Sequence, residues 1–212
     1  MQISSSHKGE CYTRQRFLPR PPHASIPMNF CSDCGQPVSL LVPPDDNRMR
    51  HVCGHCGTIH YQNPKMVIGS IPAWDLAGDT KVLLCRRAIE PRHGYWTLPA
   101  GFMENEETTG EAAQRETLEE AGARIELQAL FSLLNVPHVH QVHLFYRAQL
   151  LDLDFAAGIE SLEVKLFAEH EIPWDDIAFP TVAHTLHTRR RWQRPALTAR
   201  FRPAFRPAWA RR

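Results

Sequence analysis

Long apolar runs are what this sequence most plainly lacks. Hydrophobic residues fill 43% of its 212 positions, yet they come a few at a time, far short of the roughly 20 in a row that a bilayer-spanning helix needs. A helical membrane protein is excluded on that ground. The first residues also lack the apolar core of a secretory signal, and the expected location is the cytoplasm. Acid is missing from one end: nine arginines and no Asp or Glu stand between Thr188 and Arg212, while before Asn29 four basic residues face one acid. The formal charge of +1 therefore conceals a middle segment with about eleven more acidic than basic side chains. That segment is a poor surface for non-specific nucleic-acid binding. The arginine end has the charge to meet nucleic acid, anionic lipid or an acidic protein surface, and charge alone does not rank them.

Periodicity is absent at both ends. Residues 1–28 scatter Ser, Pro and Arg without a helix or strand repeat and read as a flexible segment; Met28, directly before the first motif, is a candidate for the natural start. Residues 188–212, with Arg202-Pro-Ala-Phe-Arg-Pro207, lack an amphipathic stripe and read as a flexible Arg/Pro-rich tail. The length between them suits one modest domain with an annex.

Cysteine is scarce, six residues in all, and four of the six are paired. Cys31-Ser-Asp-Cys34-Gly35 and Cys53-Gly-His-Cys56-Gly57 each make a knuckle in which the following glycine lets the backbone turn back on sulfur. A hairpin fits between them, through Val38 to Val42, a polar turn at Pro43 to Asn47, and Met49 to Val52. Four thiolates in a tetrahedron form a closed cage for structural Zn²⁺, with no open position for catalysis; two disulfides or an iron centre are the alternatives. His51, His55 and His60 are either outer contacts to such a site or ordinary surface residues. Cys85 lies in an apolar run and reads as a small buried hydrophobe.

Downstream, Met66 to Ile71 and Lys81 to Arg86 read as a hairpin around an Asp75 to Thr80 turn. Tyr95 to Leu98 is a short strand. After Gly122, strands are expected over Arg124 to Leu134 and Gln141 to Leu150, with Val142, Leu144 and Tyr146 on one side and Gln141, His143 and Phe145 on the other. Another follows over Val164 to Ala168. Glu171 to Asp176 reads as a turn into a short helix with Trp174 at its base, and a second helix runs from Pro180 to Arg191 on a Val182, Leu186 and Trp192 stripe. His138, His140 and His143 do not converge as a metal set and suit the lining of a cleft beside Phe131, Asn135 and Tyr146.

The stretch Gly101 to Ala123, GFMENEETTGEAAQRETLEEAGA, organises the rest. It predicts a helix from about Thr108 to Ala121 that stops at Gly122. Helical spacing puts Glu116, Glu119 and Glu120 on one side. Like charges so placed repel, and converging oxygens suit a hard dication such as Mg²⁺ that bridges to a substrate phosphate. A solvated acidic face is the competing reading. Arg115 pairs with Glu119 across one turn, and Glu107 sits near the helix start, where the dipole favours its charge.

The same stretch resembles the Nudix box: Gly101, Glu107, Arg115, Glu116, Thr117, Glu119, Glu120, Gly122 and Ala123 fill its positions, with Thr117 and Ala123 smaller than its aliphatic sites prefer. The likeness runs from about Tyr61 to His187, and the ribbon followed by Tyr61-Gln-Asn-Pro-Lys65 is similar to the front of zinc-ribbon-bearing Nudix hydrolases. It implies an α/β/α sandwich with a mixed sheet behind a small four-cysteine ribbon, with segments 1–28, 29–60, 61–187 and 188–212. It also implies Mg²⁺ or Mn²⁺ held by Glu116, Glu119, Glu120 and the Ala100 carbonyl, with structural Zn²⁺ on Cys31, Cys34, Cys53 and Cys56. A further carboxylate is expected from Glu160 or Glu163, and a phosphate contact from Arg86 or Arg87; Trp96 is core or stacking platform, and a homodimer is implied. The implied reaction is hydrolysis of a nucleoside diphosphate derivative at its pyrophosphate, with the general base open among these carboxylates and Arg115 orienting them. The Ser-Gln-Pro-Trp-type motif of NADH pyrophosphatases is absent, and with Leu98-Pro-Ala-Gly-Phe-Met103 and Glu160-Ser-Leu-Glu163 the chain resembles the branch of ADP-ribose or FAD pyrophosphatases that carries a front zinc ribbon, which implies ADP-ribose or FAD as substrate. Alternatives are a nucleotide-sensing or RNA-associated protein without turnover, and an RNA 5′-end or cap hydrolase.

Overall fold

The computed structural model describes residues 28–76 and 79–188; the N-terminal segment before Met28, the tail beyond Thr188 and the Trp192 end of the second predicted helix lie outside them. The chain divides into two compact units, Met1–Gln62 and Asn63–Arg212.

In the first unit, strands β1 (Val38–Leu41) and β2 (Arg50–Cys53) pair antiparallel, Val38 opposite Cys53 and Leu41 opposite Arg50, and β3 (Ile59–His60) adds to β2. Asp46 fixes the hairpin turn by accepting from the Asn47 and Arg48 amides and from Arg50 Nε at 2.9 Å. Gly35 and Gly57 have positive φ and each donates its N–H to the first cysteine of its knuckle, Cys31 or Cys53, at 3.0 Å. Beyond Cys31, Pro43 and Cys53, no described side chain of this unit is buried. Leu40, Leu41, Val42 and Met49 are exposed. The described residues of this unit hold too little core to fold on hydrophobic burial alone, and a cross-link through the cysteines would supply the rest.

The second unit is built on a mixed sheet. Its strands are β4 (Lys65–Leu76), β5 (Asp79–Arg87), β6 (Trp96–Thr97), β7 (Ala100–Phe102), β8 (Ile125–Val136), β9 (Gln141–Leu150) and β10 (Ser161–Phe167). The order is β10-β5-β4-β9-β8, with β6 on β5 and β7 on β4. β4 and β9 are parallel; the other pairs are antiparallel. Helix α1 (Thr109–Ala121) covers one face and α2 (Pro180–His187) the other. The alternation of β5 shows why: Val82 and Leu84 pack with Val182 and Leu186 of α2, while Leu83 and Cys85 pack with Ala121 and Ala123 at the end of α1. All four are buried, as a strand covered on both faces requires.

The strands extend past several sequence boundaries. β4 and β5 pair out to Leu76 and Asp79, inside the predicted Asp75 to Thr80 turn, because Thr80 Oγ1 donating to Asp75 lets the hairpin close later. β8 continues to Val136 and β10 begins at Ser161. Trp174 heads a 3-10 turn (Trp174–Asp176) and stacks on His187 with ring centroids 4.0 Å apart.

Candidate active site

Helix α1 delivers the carboxylates, and its start is fixed by a capping box. Thr108 Oγ1 accepts from the Glu111 amide, and the Glu111 carboxylate accepts from the Thr108 amide at 2.7 Å. A cap of this kind contributes roughly 0.5–2 kcal/mol. Thr117, small where the motif prefers an aliphatic side chain, is wholly buried. Its hydroxyl donates to the Ala113 carbonyl and meets Ser70 Oγ at 2.6 Å, tying the helix to β4. Gly122 ends the helix in the left-handed conformation.

Glu116 and Glu120 are 8% and 7% exposed; the Glu119 side chain, at 58%, stands at the rim. Burial pushes the Glu116 carboxyl above its usual range, against the pull of Arg115. Glu120 is pushed up to about 8, first by burial, although the Ala100 amide donates to its Oε2 at 3.1 Å. Gly101 makes the approach of Glu116 to the backbone feasible: a Cβ there would lie 2.3 Å from the Glu116 carboxyl.

Arg115 is fully engaged. It grips Glu107 through Nε at 2.9 Å and Nη2 at 2.7 Å, donates from Nη1 to Glu116 at 2.6 Å and Glu119 at 3.0 Å, and reaches the Phe102 carbonyl at 3.1 Å. Its hydrogen bond holds Glu107 down to about 2. With its donors so committed, Arg115 ties Glu107, Glu116 and Glu119 to one another and to the β7 backbone. Each of Glu116, Glu119 and Glu120 keeps one oxygen with no protein donor among the described residues. A dication with oxygen ligands fits that donor set.

These groups form one wall of a cavity of about 1330 Å³. Glu160 also lines it, and its charge raises both Glu116 and Glu120. The loop before it is seated on the end of α1: the Ala156 and Gly158 amides donate to the Ala121 and Glu120 carbonyls at 3.0 Å, and a Cβ at Gly158 would lie 1.8 Å from the Glu119 carbonyl oxygen. Glu163 is not among the lining residues; on β10 it sits 3.9 Å from Arg86. Arg86 donates to the Gly94 carbonyl, whereas Arg87 lines the cavity with its guanidinium over the Phe179 ring, 5.1 Å from the centroid. Trp96 is core, edge-on to Phe167 at 4.8 Å.

The histidine region divides. His138 and His143 line the cavity; His140 does not. Tyr146 lies on the opposite face of the sheet, its hydroxyl 2.6 Å from Thr109 of α1, because it alternates with Phe145 along β9. Phe131 packs into the core on the α2 side. Sequence reasoning missed Thr181 and Phe179 as lining residues. Their only local signal is the start of a helix, and their place depends on how α2 crosses the sheet.

In the first unit, the four Sγ atoms of Cys31, Cys34, Cys53 and Cys56 lie within 4.8 Å of one another. The nearest pairs are 3.5 and 3.6 Å apart, so the cysteines are free thiols gathered in one cluster. His60 Nε2 stands 3.3 Å from Cys31 Sγ, and Thr58 Oγ1 3.2 Å from Cys56 Sγ. Hydrogen bonds from the Thr58 hydroxyl and amide lower Cys56, while burial and the neighbouring thiols raise Cys34. His60 is therefore an outer contact to the cluster; His51 and His55 have no such contact among those described.

Comparison with known proteins agrees with this geometry. The family model described as Nudix N-terminal matches residues 29–62, and the NUDIX domain model matches residues 69–194. The crystal structure of a NUDIX hydrolase from Nitrosomonas europaea is 54% identical, covers 80% of this chain and 96% of its own, and superposes with a TM-score of 0.74. An NAD-capped RNA hydrolase NudC from Vibrio atlanticus is 37% identical over 47% of this chain and 34% of its own length. An ADP-ribose pyrophosphatase from Methanocaldococcus jannaschii is 27% identical over 53% of this chain and 67% of its own. The chain thus spans about a third of the length of the NAD-capped RNA hydrolase it matches. With the domain model covering more than half of it and the ribbon model ahead, the chain belongs to the Nudix family, as a NUDIX domain preceded by a four-cysteine, zinc-type N-terminal ribbon.

Proposed function

We propose that this protein is a divalent-metal-dependent pyrophosphatase that hydrolyses the pyrophosphate linkage of a nucleoside diphosphate derivative. What carries the reading is the wall of three carboxylates, each with a free oxygen, Glu116 and Glu119 held by Arg115 and Glu120 by the Ala100 amide, along a cavity large enough for both halves of a dinucleotide-like substrate. Glu116, Glu119 and Glu120, with the Ala100 carbonyl, would hold Mg²⁺ or Mn²⁺, which supplies charge neutralisation at the phosphates and acidifies water. Water adds to one phosphorus, the P–O bond of the bridge breaks, and a nucleoside monophosphate and the other phosphorylated half leave. Glu160, on its anchored loop, is placed to take the proton. Arg87, steadied over Phe179, is placed to hold a phosphate oxygen. Arg115 keeps the carboxylates at their posts, and the four cysteines hold Zn²⁺ as structure.

Two substrate readings share this chemistry. ADP-ribose or FAD is one, supported by the similarity to an ADP-ribose pyrophosphatase. The 5′ end of RNA carrying a dinucleotide cap is the other, and the similarity to NAD-capped RNA hydrolases, at 37% against 27% identity, favours it. Product-resolved turnover of NAD-capped RNA, ADP-ribose and FAD with Mg²⁺ or Mn²⁺, beside Glu120→Gln, tests both. Glu120-dependent release of 5′-monophosphate RNA above ADP-ribose turnover supports the cap reading; the reverse ranking supports the small-molecule one. Absence of Glu120-dependent turnover on all three would overturn hydrolysis and leave a binding protein.

A further inference from the structure

The cavity has two chemically different ends. Carboxylates come from α1, from the loops that follow β5 and β7, and from the loop before β10; six line the cavity against two arginines, one of which is wholly engaged. The other end is neutral. It is built by the face of β8 and β9 that carries Leu134, Val136, Gln141 and His143, which the sheet register places as direct neighbours: Leu134 opposite His143 and Val136 opposite Gln141. Over it lies the start of α2, pinned to the sheet at Thr181 and, one turn on, at Thr185, whose hydroxyl meets Ser132 Oγ at 3.1 Å. The side chains of that sheet face, Leu134, Val136, Gln141 and His143, are apolar or neutral and suit a flat, uncharged heterocycle.

His143 organises the polar groups of that end. Its Nε2 is 2.9 Å from Gln141 Oε1 and its Nδ1 is 3.2 Å from Thr181 Oγ1. An amide oxygen only accepts, so Nε2 carries the proton and Nδ1 accepts from the Thr181 hydroxyl. Burial lowers the pKa of the ring and keeps it in this neutral form. Both ring nitrogens are thereby occupied, and His143 has nothing left to offer a ligand. The Gln141 amide nitrogen has no partner among the described residues, and its side chain lines the cavity.

We infer that this neutral end is the nucleobase site, and that Gln141 is a specificity-determining residue whose amide N–H, oriented by His143, donates to a ring acceptor of a purine. His143 is a positioning residue that acts through Gln141. The inference takes the diphosphate reading for the other end of the cavity, but base recognition is measurable without turnover. Calorimetric titration of the full-length, zinc-loaded protein with AMP, UMP and ribose 5-phosphate in Mg²⁺ makes that measurement. AMP is expected to bind at least tenfold more tightly than UMP. Gln141→Leu, with Gln141→Asn as the second variant should the first not fold, is expected to weaken AMP about tenfold and leave ribose 5-phosphate unchanged. His143→Leu should copy that loss, and His143→Gln, which keeps a donor toward Gln141, should recover most of it. Equal binding of AMP and UMP, or AMP binding unaltered in both Gln141 variants, would overturn the inference. Failure of the turnover panel with these binding results intact would count against hydrolysis alone.

Discussion

At the scale of single residues, one arginine ties the carboxylates of the site together. Arg115 joins Glu107, Glu116, Glu119 and the Phe102 carbonyl, so Arg115→Gln should leave the fold in place and weaken Mn²⁺ binding by about 10- to 100-fold, the usual cost of losing an outer partner of metal ligands. Titration of Mn²⁺ by electron paramagnetic resonance measures it. Glu107 gives a pH signature. Its folded pKa, about 2, lies below the ordinary 4.5, so its stabilisation is complete above pH 4.5 and is lost as pH falls toward 2. The difference in urea midpoint between the parent protein and Glu107→Gln should therefore shrink across that window. Much of this was legible in the sequence, since the spacing of Arg115, Glu116, Glu119 and Glu120 is helical and local. That Glu160 and Arg87 line the cavity while Glu163 and Arg86 do not was not legible, because each pair alternates across a strand or loop whose facing is set by distant partners.

At the scale of elements, α1 is held to the sheet by a polar contact inside an apolar layer. Thr117→Val removes the hydroxyl that meets Ser70 and leaves a buried donor unpaired; the expected loss is roughly 1–3 kcal/mol in chemical unfolding. The caps of α1, Thr108 and Gly122, were readable as letters, and the helix lies within one residue of its predicted start. The strands were readable as runs of Val, Ile and Leu, but not which side of each faces which helix. Tyr146 shows the difficulty: beside the cleft residues in sequence, it belongs to the face that α1 covers. The ribbon makes the opposite case, since its cysteine spacing carries nearly all its information. One zinc per chain is expected by elemental analysis, and Cys31→Ser or a strong chelator should unfold residues 29–62 by limited proteolysis while the NUDIX domain stays resistant.

At the scale of the whole molecule, charge is segregated along the chain, with an acidic centre and nine arginines after Thr188. If capped RNA is the substrate, removal of residues 189–212 should weaken RNA binding and flatten its dependence on salt, while turnover of ADP-ribose is unchanged; filter binding at two or more salt concentrations checks this. No helix among the described residues is long and apolar enough to cross a membrane. Fold class was legible from the box and the ribbon together. The sheet order was not, because the parallel pairing of β4 with β9 joins segments that nothing local connects.

That pairing, Lys65 beside Gln141 through Ala73 beside Gln149, also governs when the cavity can be completed. The hairpin of β4 and β5 and the helix α1 are local and close early, but β4 must wait at an open edge until β9 has been synthesised and a long loop has been closed. A chain that ends before Gln141 contains the segment of Glu116, Glu119 and Glu120 but lacks Gln141, His143, Glu160 and Thr181 of the cavity wall. β9 brings Gln141 and His143, and β10 and α2 follow it in the chain. A chain arrested before Gln141 would expose the flank of β4 to any strand in reach.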